Sequence, residues 1–234
     1  MNNITWNLKD LKDRCPASLL EEADQNINSI TRMIKNIDSI TEELLLVNSQ
    51  VTMNDIIDSS KSKILKQISE AEKGLKELVR DLHSLLDYMA QVINVIIVKP
   101  FPSDLIKPLN NKDIDINKII KKLKEIKQEL PIENPKYIAI ESIIDHAEAL
   151  INCDEYKYTI DLDNTNKHRQ WIDSDYTFKL TSSSKTKSFW LSGFNKDGRE
   201  YSPVSYEVIL TEHKVNILNR FYSLGQEIND YFLL

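Results

Sequence analysis

From Ile57 to Ile96 an apolar residue recurs at nearly every step of an alternating three-and-four spacing. The series is Ile57, Ile64, Ile68, Ala71, Leu75, Leu78, Leu82, Leu85, Met89, Val92 and Ile96, interrupted at Lys61. A heptad this long predicts one helix laid against a partner in left-handed, knobs-into-holes packing. Upstream, Leu20, Ala23, Ile27, Ile30, Ile34, Ile37 and Leu44 follow the same rhythm around a polar Thr41. Two long helices are therefore expected, one over about 17–47 and one from about Thr52 or Asn54 to Val98. Asn48-Ser49-Gln50 forms the break, and the KPFPSD stretch ends the second helix. At 1.5 Å per residue they would be about 45 Å and roughly 65–70 Å long, antiparallel, with an overhang of about 20 Å.

Two shorter helices follow. One begins near Asp113 or Asp115 and carries Ile116, Ile119, Ile120, Leu123, Ile126 and Leu130. The next starts at Asn134-Pro135, an N-cap with proline in the first turn, and presents Ile140, Ile143, Ile144, Ala147, Leu150 and Ile151. Near Asp154 the period changes to two. Tyr156–Leu162, Tyr176–Leu180, Ser188–Ser192 and Val204–Leu210 read as strands, with a hairpin turn at Asn195-Lys-Asp-Gly198. A terminal helix carries Leu218, Phe221, Tyr222, Ile228 and Phe232 on one face. The expected fold is mainly α with a C-terminal α+β module: residues 1–153 a long helical hairpin plus a helix pair, 154–234 a small antiparallel sheet with a terminal helix.

Composition narrows the function classes. A net charge of −6 opposes broad nucleic-acid binding by bulk electrostatics. Four glycines in 234 residues leave no place for a P-loop or a dinucleotide fingerprint, so no cofactor is expected. Cys15 and Cys153 have no metal-ligand spacing and fit a reducing compartment. The opening MNNITWNLKD lacks a basic start and an apolar core, and Val92–Val98 is too short to span a bilayer. A cytoplasmic location without a membrane span is expected. Heavy use of Asn, Ile and Lys suggests an AT-rich coding sequence, compatible with a phage, mobile element or low-GC bacterium.

Candidate chemistry is sparse. His146 lies near Glu141, Asp145 and Glu148, but only Glu141 and Asp145 share an i,i+4 face, so a solvated helix face is expected rather than a metal. His83 reads as a residue flanking the seam. Cys15, before a proline at a helix start, is placed where a helix dipole lowers a thiol pKa, but no histidine lies near it in sequence. Ser182-Ser-Ser-Lys-Thr-Lys187 is basic and hydroxyl-rich, so Lys185, Lys187 and Trp190 are the weak candidates for contact with single-stranded nucleic acid. Lys61 on the seam, and Leu85, Met89, Val92 and Ile96 at the overhanging end, are the candidate partner-binding residues. The apolar end Tyr231, Phe232, Leu233 and Leu234 joins them, although packing on the module itself is the plainer role.

The first hundred residues, a helical hairpin rich in Ile and Leu, resemble the secreted small helical-hairpin proteins of type VII secretion. Asn48-Ser49-Gln50 stands where that family has Trp-x-Gly. The family's Tyr-x-x-x-Asp/Glu signal has one match, Tyr137 to Glu141. The resemblance implies a secreted effector with a helical export half and an active C-terminal half. The leading expectation is instead a non-enzymatic interaction subunit. It would dock a protein partner or a second copy through helical surfaces, in a bacterial or phage defence or counter-defence system. A single-stranded nucleic-acid module is the remaining alternative.

Overall fold

The computed structural model describes residues 6–50, 61–102, 106–110, 114–168, 172–180 and 185–233. The fold is mainly α with a small antiparallel β region and a C-terminal helix. Helix α1 (Leu8–Arg14) is followed by α2 (Ala17–Gln50) and α3 (Lys61–Ile93), which passes into a π-helical turn at Asn94–Val98. Then come α4 (Ile116–Glu129), α5 (Pro135–Asn152) and α6 (Asp154–His168). Strands β1 (Ser174–Leu180), β2 (Lys185–Leu191) and β5 (Val204–Ser205) form one sheet, and β3 (Phe194–Lys196) pairs with β4 (Arg199–Tyr201). A single turn, α7 (Tyr206–Val208), leads through a second π turn at Ile209–His213 into α8 (Lys214–Asp230) and a 3-10 turn, Tyr231–Leu233.

The caps are set by sequence. Asp115 accepts from the Lys118 N–H and Asn134 from the Lys136 N–H, with Pro135 at the first helical position. Asp197 (φ 50°) and Gly198 (φ 81°) form the two-residue turn between β3 and β4, the mirror-image turn that matches strand twist. Helix α3 continues through Gly74, where a Cβ would stand 3.0 Å from Leu44 Cδ2. By length and composition the run Leu65–Val98 could cross a membrane, and 72% of its apolar window is buried within the chain, as in a core helix.

Two expectations fail in the C-terminal third. Tyr156–Leu162 is not a strand but the first half of α6, opened by Asp154 and Glu155 in the turn where a helix dipole favours acids. The alternation of Tyr156, Tyr158, Ile160 and Leu162 imitates a strand because α6 is buried nearly all round. Thr159, Asp161, Asp163 and Thr165 are buried between the apolar positions. Likewise Val204–Leu210 is strand only at its first two residues, since Ser205 accepts from the Val208 N–H and starts α7. Ile57, Thr52 and Asn54 lie outside the described residues.

The chain forms two compact units, each built from separated segments. One comprises 1–33, 84–156 and 216–234; the other comprises 34–83 and 157–215. The change of periodicity near Asp154 divides the chain into two consecutive stretches, 1–153 and 154–234. It marks local pattern, whereas the units mark compactness.

In the first unit α4 packs on α5 and on the Asn94–Val98 turn. Asn94, fully buried, donates from Nδ2 to the Leu109 carbonyl at 3.2 Å and accepts from the Leu109 N–H at 3.3 Å. Lys99 pairs with Glu22, and Ser142 donates to Glu227 at 2.6 Å. Trp6 lies on Gly225 and edge-on to Phe221, its indole N–H donating to Asn229 at 3.0 Å. In the second unit α2 and α3 run antiparallel. Leu44 lies on Gly74, and Asn36 donates to the buried Asp81 at 2.5 Å. Among the described residues this cross-helix pair, and not Thr41, makes a polar contact across the seam. The Thr41 hydroxyl turns back to the Ile37 carbonyl at 2.6 Å.

Candidate functional site

The apolar partner-binding candidates at the end of the heptad are buried. Leu85, Met89 and Val92 are fully buried and Ile96 is 2% exposed, all within the first unit. Leu85, Met89 and Val92 are covered from within the chain, and Ile96 borders the cleft described next. Tyr231 is buried beneath the Lys136 ammonium, 5.2 Å above its ring. Phe232 stands edge-on to Tyr231, and Leu233 is exposed. The side chains of Lys61, Lys185 and Lys187, together with Trp171 and Leu234, lie outside the described residues. Trp190 is half-buried between the inward Phe189 and Leu191, on the opposite face of β2.

Where the chain leaves the Asn94–Val98 turn it borders a cleft of about 720 Å³ in the first unit. Leu19, Ile96, Phe101, Leu130, Tyr231 and Phe232 line it, with prolines at 16, 100, 102 and 135. Its only charged members are Glu129 and Lys136. Pro100, Phe101 and Pro102, which ended the helix in the sequence reading, form one wall. This size is typical of sites that take a side-chain cluster or a drug-sized molecule.

The second unit holds a polar arrangement along α6 that sequence reasoning missed. Asp161 and Asp163 lie two positions apart on a helix, so they point to different sides. Asp161 accepts from the Tyr201 hydroxyl at 2.7 Å and from Arg199 at 3.0 Å, tying α6 to the β3–β4 hairpin. Asp163 accepts from His83 Nδ1 at 2.7 Å and from Lys167 at 2.6 Å, tying α6 to α3. Burial pushes the Asp163 carboxyl up, but the His83 and Lys167 hydrogen bonds outweigh it and hold the group below its ordinary value. Tyr158 meets Phe194, Tyr201 and His213 edge-on at 5.0–5.5 Å, and burial drives its phenol upward. No spacing rule links residues 83, 161, 163, 199 and 201. The only signal was a run of acids in a stretch that otherwise looked apolar.

Beside Asp163 lies an open cavity of about 320 Å³, lined by Lys73, Lys76, Glu77 and Arg80 of α3 and by Asp163, Asn166 and Lys167 of α6.

The remaining sequence candidates are accounted for by local partners. Burial raises the pKa of both thiols, Cys15 and Cys153, away from the range of a reactive thiolate. His146 Nδ1 donates to the Ser142 carbonyl, 2.9 Å away. Glu141 takes an ion pair from Lys127 at 2.5 Å, and the same ammonium lies 4.8 Å above the Tyr137 ring. The Tyr137–Glu141 match thus clasps a lysine of α4. Among the described residues no group of three His, Cys, Asp or Glu is arranged to hold a metal ion. No family model matches the chain, and no match is found among curated proteins or solved structures.

Proposed function

We propose that the protein is a non-enzymatic interaction subunit whose first-unit cleft takes an apolar, aromatic-anchored segment of a protein partner. The observation that carries this reading is the lining. Leucine, isoleucine, phenylalanine, tyrosine and proline from the α2 start, the π turn, 100–102, α4 and the Tyr231–Leu233 turn converge on one cleft. Half-buried aromatic and apolar side chains gathered in a concave site favour a protein anchor residue. Charge favours the same occupant. Glu129 and Lys136 are of opposite sign, so the cleft carries no net charge that would select a charged anchor over an apolar one.

The test is selection of a random peptide library on the full-length protein. Enriched peptides should converge on an aromatic or large aliphatic anchor. Phe232→Asp and Leu19→Asp should each weaken the best peptide tenfold or more while circular dichroism stays unchanged. Failure of the library to converge, or peptide binding indifferent to both substitutions, would sink the proposal. So would a concentration-dependent dimer that Phe232→Asp abolishes, because the cleft would then belong to a second copy.

A further inference from the structure

The three-stranded sheet of the second unit has the order β1-β2-β5, so β1 is a terminal strand. It pairs with β2 along its whole length, from Ser174 opposite Leu191 to Leu180 opposite Lys185. Among the described residues no strand or loop backbone pairs with its other side. An open strand edge is a template for another strand, and proteins usually blunt it. One hydrogen bond tells which backbone groups point outward. Just before the strand, the Ser192 N–H donates to the Asp173 carbonyl at 3.0 Å. Hydrogen-bonded and non-hydrogen-bonded pairs alternate along an antiparallel ladder. Residues 175, 177 and 179 therefore turn their backbone groups to β2, as Asp173 does. Ser174, Tyr176, Phe178 and Leu180 turn theirs to the free edge.

The residues of this strand are arranged symmetrically about Thr177. Asp175 stands two positions before it and Lys179 two positions after it, with Tyr176 and Phe178 on either side. A second copy laid antiparallel about a two-fold axis at Thr177 keeps outward backbone groups opposite outward ones. Asp175 of each copy then falls opposite Lys179 of the other, Tyr176 opposite Phe178, and Thr177 opposite itself. Opposite charges, aromatic pairs and threonine pairs are each favourable across an antiparallel ladder. The charges fall in non-hydrogen-bonded pairs, where opposed residues come closest. Moving the axis by one residue keeps the backbone match but breaks the Asp175–Lys179 pairing and runs past the strand ends.

The outer side of β2 makes the contrast. There β5 covers only Trp190 and Leu191, and the remainder of the strand carries Lys185 and Lys187 with no acid. A second copy at that edge meets like charge, the usual defence against edge pairing. On β1 the two charges have opposite sign and are spaced to pair with their own copy.

We infer that the β1 edge is a self-association surface, on which two copies of the chain join antiparallel at Thr177 and double the sheet into one continuous sheet. The surface lies in the second unit and shares no residue with the partner cleft proposed above.

Sedimentation equilibrium of the full-length protein tests the assignment, and a concentration-dependent dimer is expected. Asp175→Lys and Lys179→Asp each turn two attractive cross-strand pairs into two repulsive ones. Each should weaken the dimer about tenfold. The double variant restores opposite charges and should recover the wild-type dissociation constant, which a merely structural role for either residue would not do. Phe232→Asp should leave the dimer unchanged. Amide hydrogen exchange reads the same edge without any substitution, and protection at Tyr176 and Phe178 should rise with protein concentration. A protein that stays monomeric up to about 1 mM would overturn the inference. So would a dimer that both single variants leave intact, or one whose loss the double variant does not reverse. Protection at Tyr176 and Phe178 that ignores concentration would overturn it as well.

Discussion

Gly225→Ala is expected to destabilise the protein by about 3–5 kcal/mol, the range for losing a large buried aromatic side chain. A Cβ at Gly225 would stand 2.4 Å from Trp6 Cγ and Cδ2, far inside contact distance. Position 225 is in the middle of α8, so the backbone cannot swing aside without breaking helical hydrogen bonds. The indole must therefore leave. It is 6% exposed and packs against Phe221 with ring centroids 5.8 Å apart, and Asn229 accepts its N–H. Expulsion strands a fully buried asparagine, which also donates to the Asn7 carbonyl at 2.9 Å. The sign of the effect should reverse on a Trp6→Ala background. With the ring already gone, alanine is preferred over glycine in a helix by about 1 kcal/mol. Urea unfolding of the two single variants and the double variant measures this as a coupling energy. Additive destabilisation would show that Trp6 does not occupy that seat.

The second large effect falls on Asp163. Asp163→Asn keeps the shape but removes the charge that holds His83 and Lys167. Hydrogen bonds to charged groups contribute about 1.5–3 kcal/mol. The partners' side chains are 22% and 45% exposed, which places the expected loss at about 2 kcal/mol at pH 7. Because the folded-state pKa is depressed, the carboxylate's stabilisation is fully present above the ordinary aspartate value. It is lost as the pH falls through the lower folded-state value. The gap between wild type and variant should therefore be widest at neutral pH and close on acidification below about pH 4. Denaturant midpoints at pH 7 and pH 3 decide the matter. An undiminished gap at pH 3 would mean that the substitution acts through packing and not through charge.

Periodicity carried the sequence reading as far as burial is apolar. Helix α5 was legible to the residue at its start and α4 to one of two candidate caps, Asp113 or Asp115, because Asp115 and Asn134-Pro135 are caps whose chemistry is local. The β3–β4 turn was legible for the same reason, since Asp197-Gly198 needs only its own backbone. Helix α6 was not. Its buried face is completed by Thr159, Asp161, Asp163 and Thr165, and the two aspartates tolerate burial because Arg199, Tyr201, His83 and Lys167 reach them. Three of those four partners lie 38–80 residues away in sequence, so no window along α6 contains the reason it is a helix. Asn94 and Asn229 escaped notice on the same grounds. Each is fully buried, and each is satisfied by groups remote in sequence, Leu109 for one and Trp6 and Asn7 for the other. The overhanging end of the heptad was read as uncovered because helix length can be counted from sequence, whereas the helices that cover Leu85, Met89 and Val92 cannot be docked from it.

The interleaving of the two units also orders events during synthesis. A ribosome releases the chain from its start, yet the first unit needs 216–234 and the second needs residues up to 215. Neither compact body can close while translation is under way beyond its early helices. The faces of α2 and α3 that do not meet each other stay apolar and uncovered until the segments 157–215 and 216–234 have been made. Trp6 and Asn229, hydrogen-bonded across 223 positions, join the earliest described residue to one of the last. Long-range closure of this kind is slow and leaves apolar surface open in the meantime. A nascent chain of this protein is thus a natural client for a chaperone, and its yield should depend on one being present.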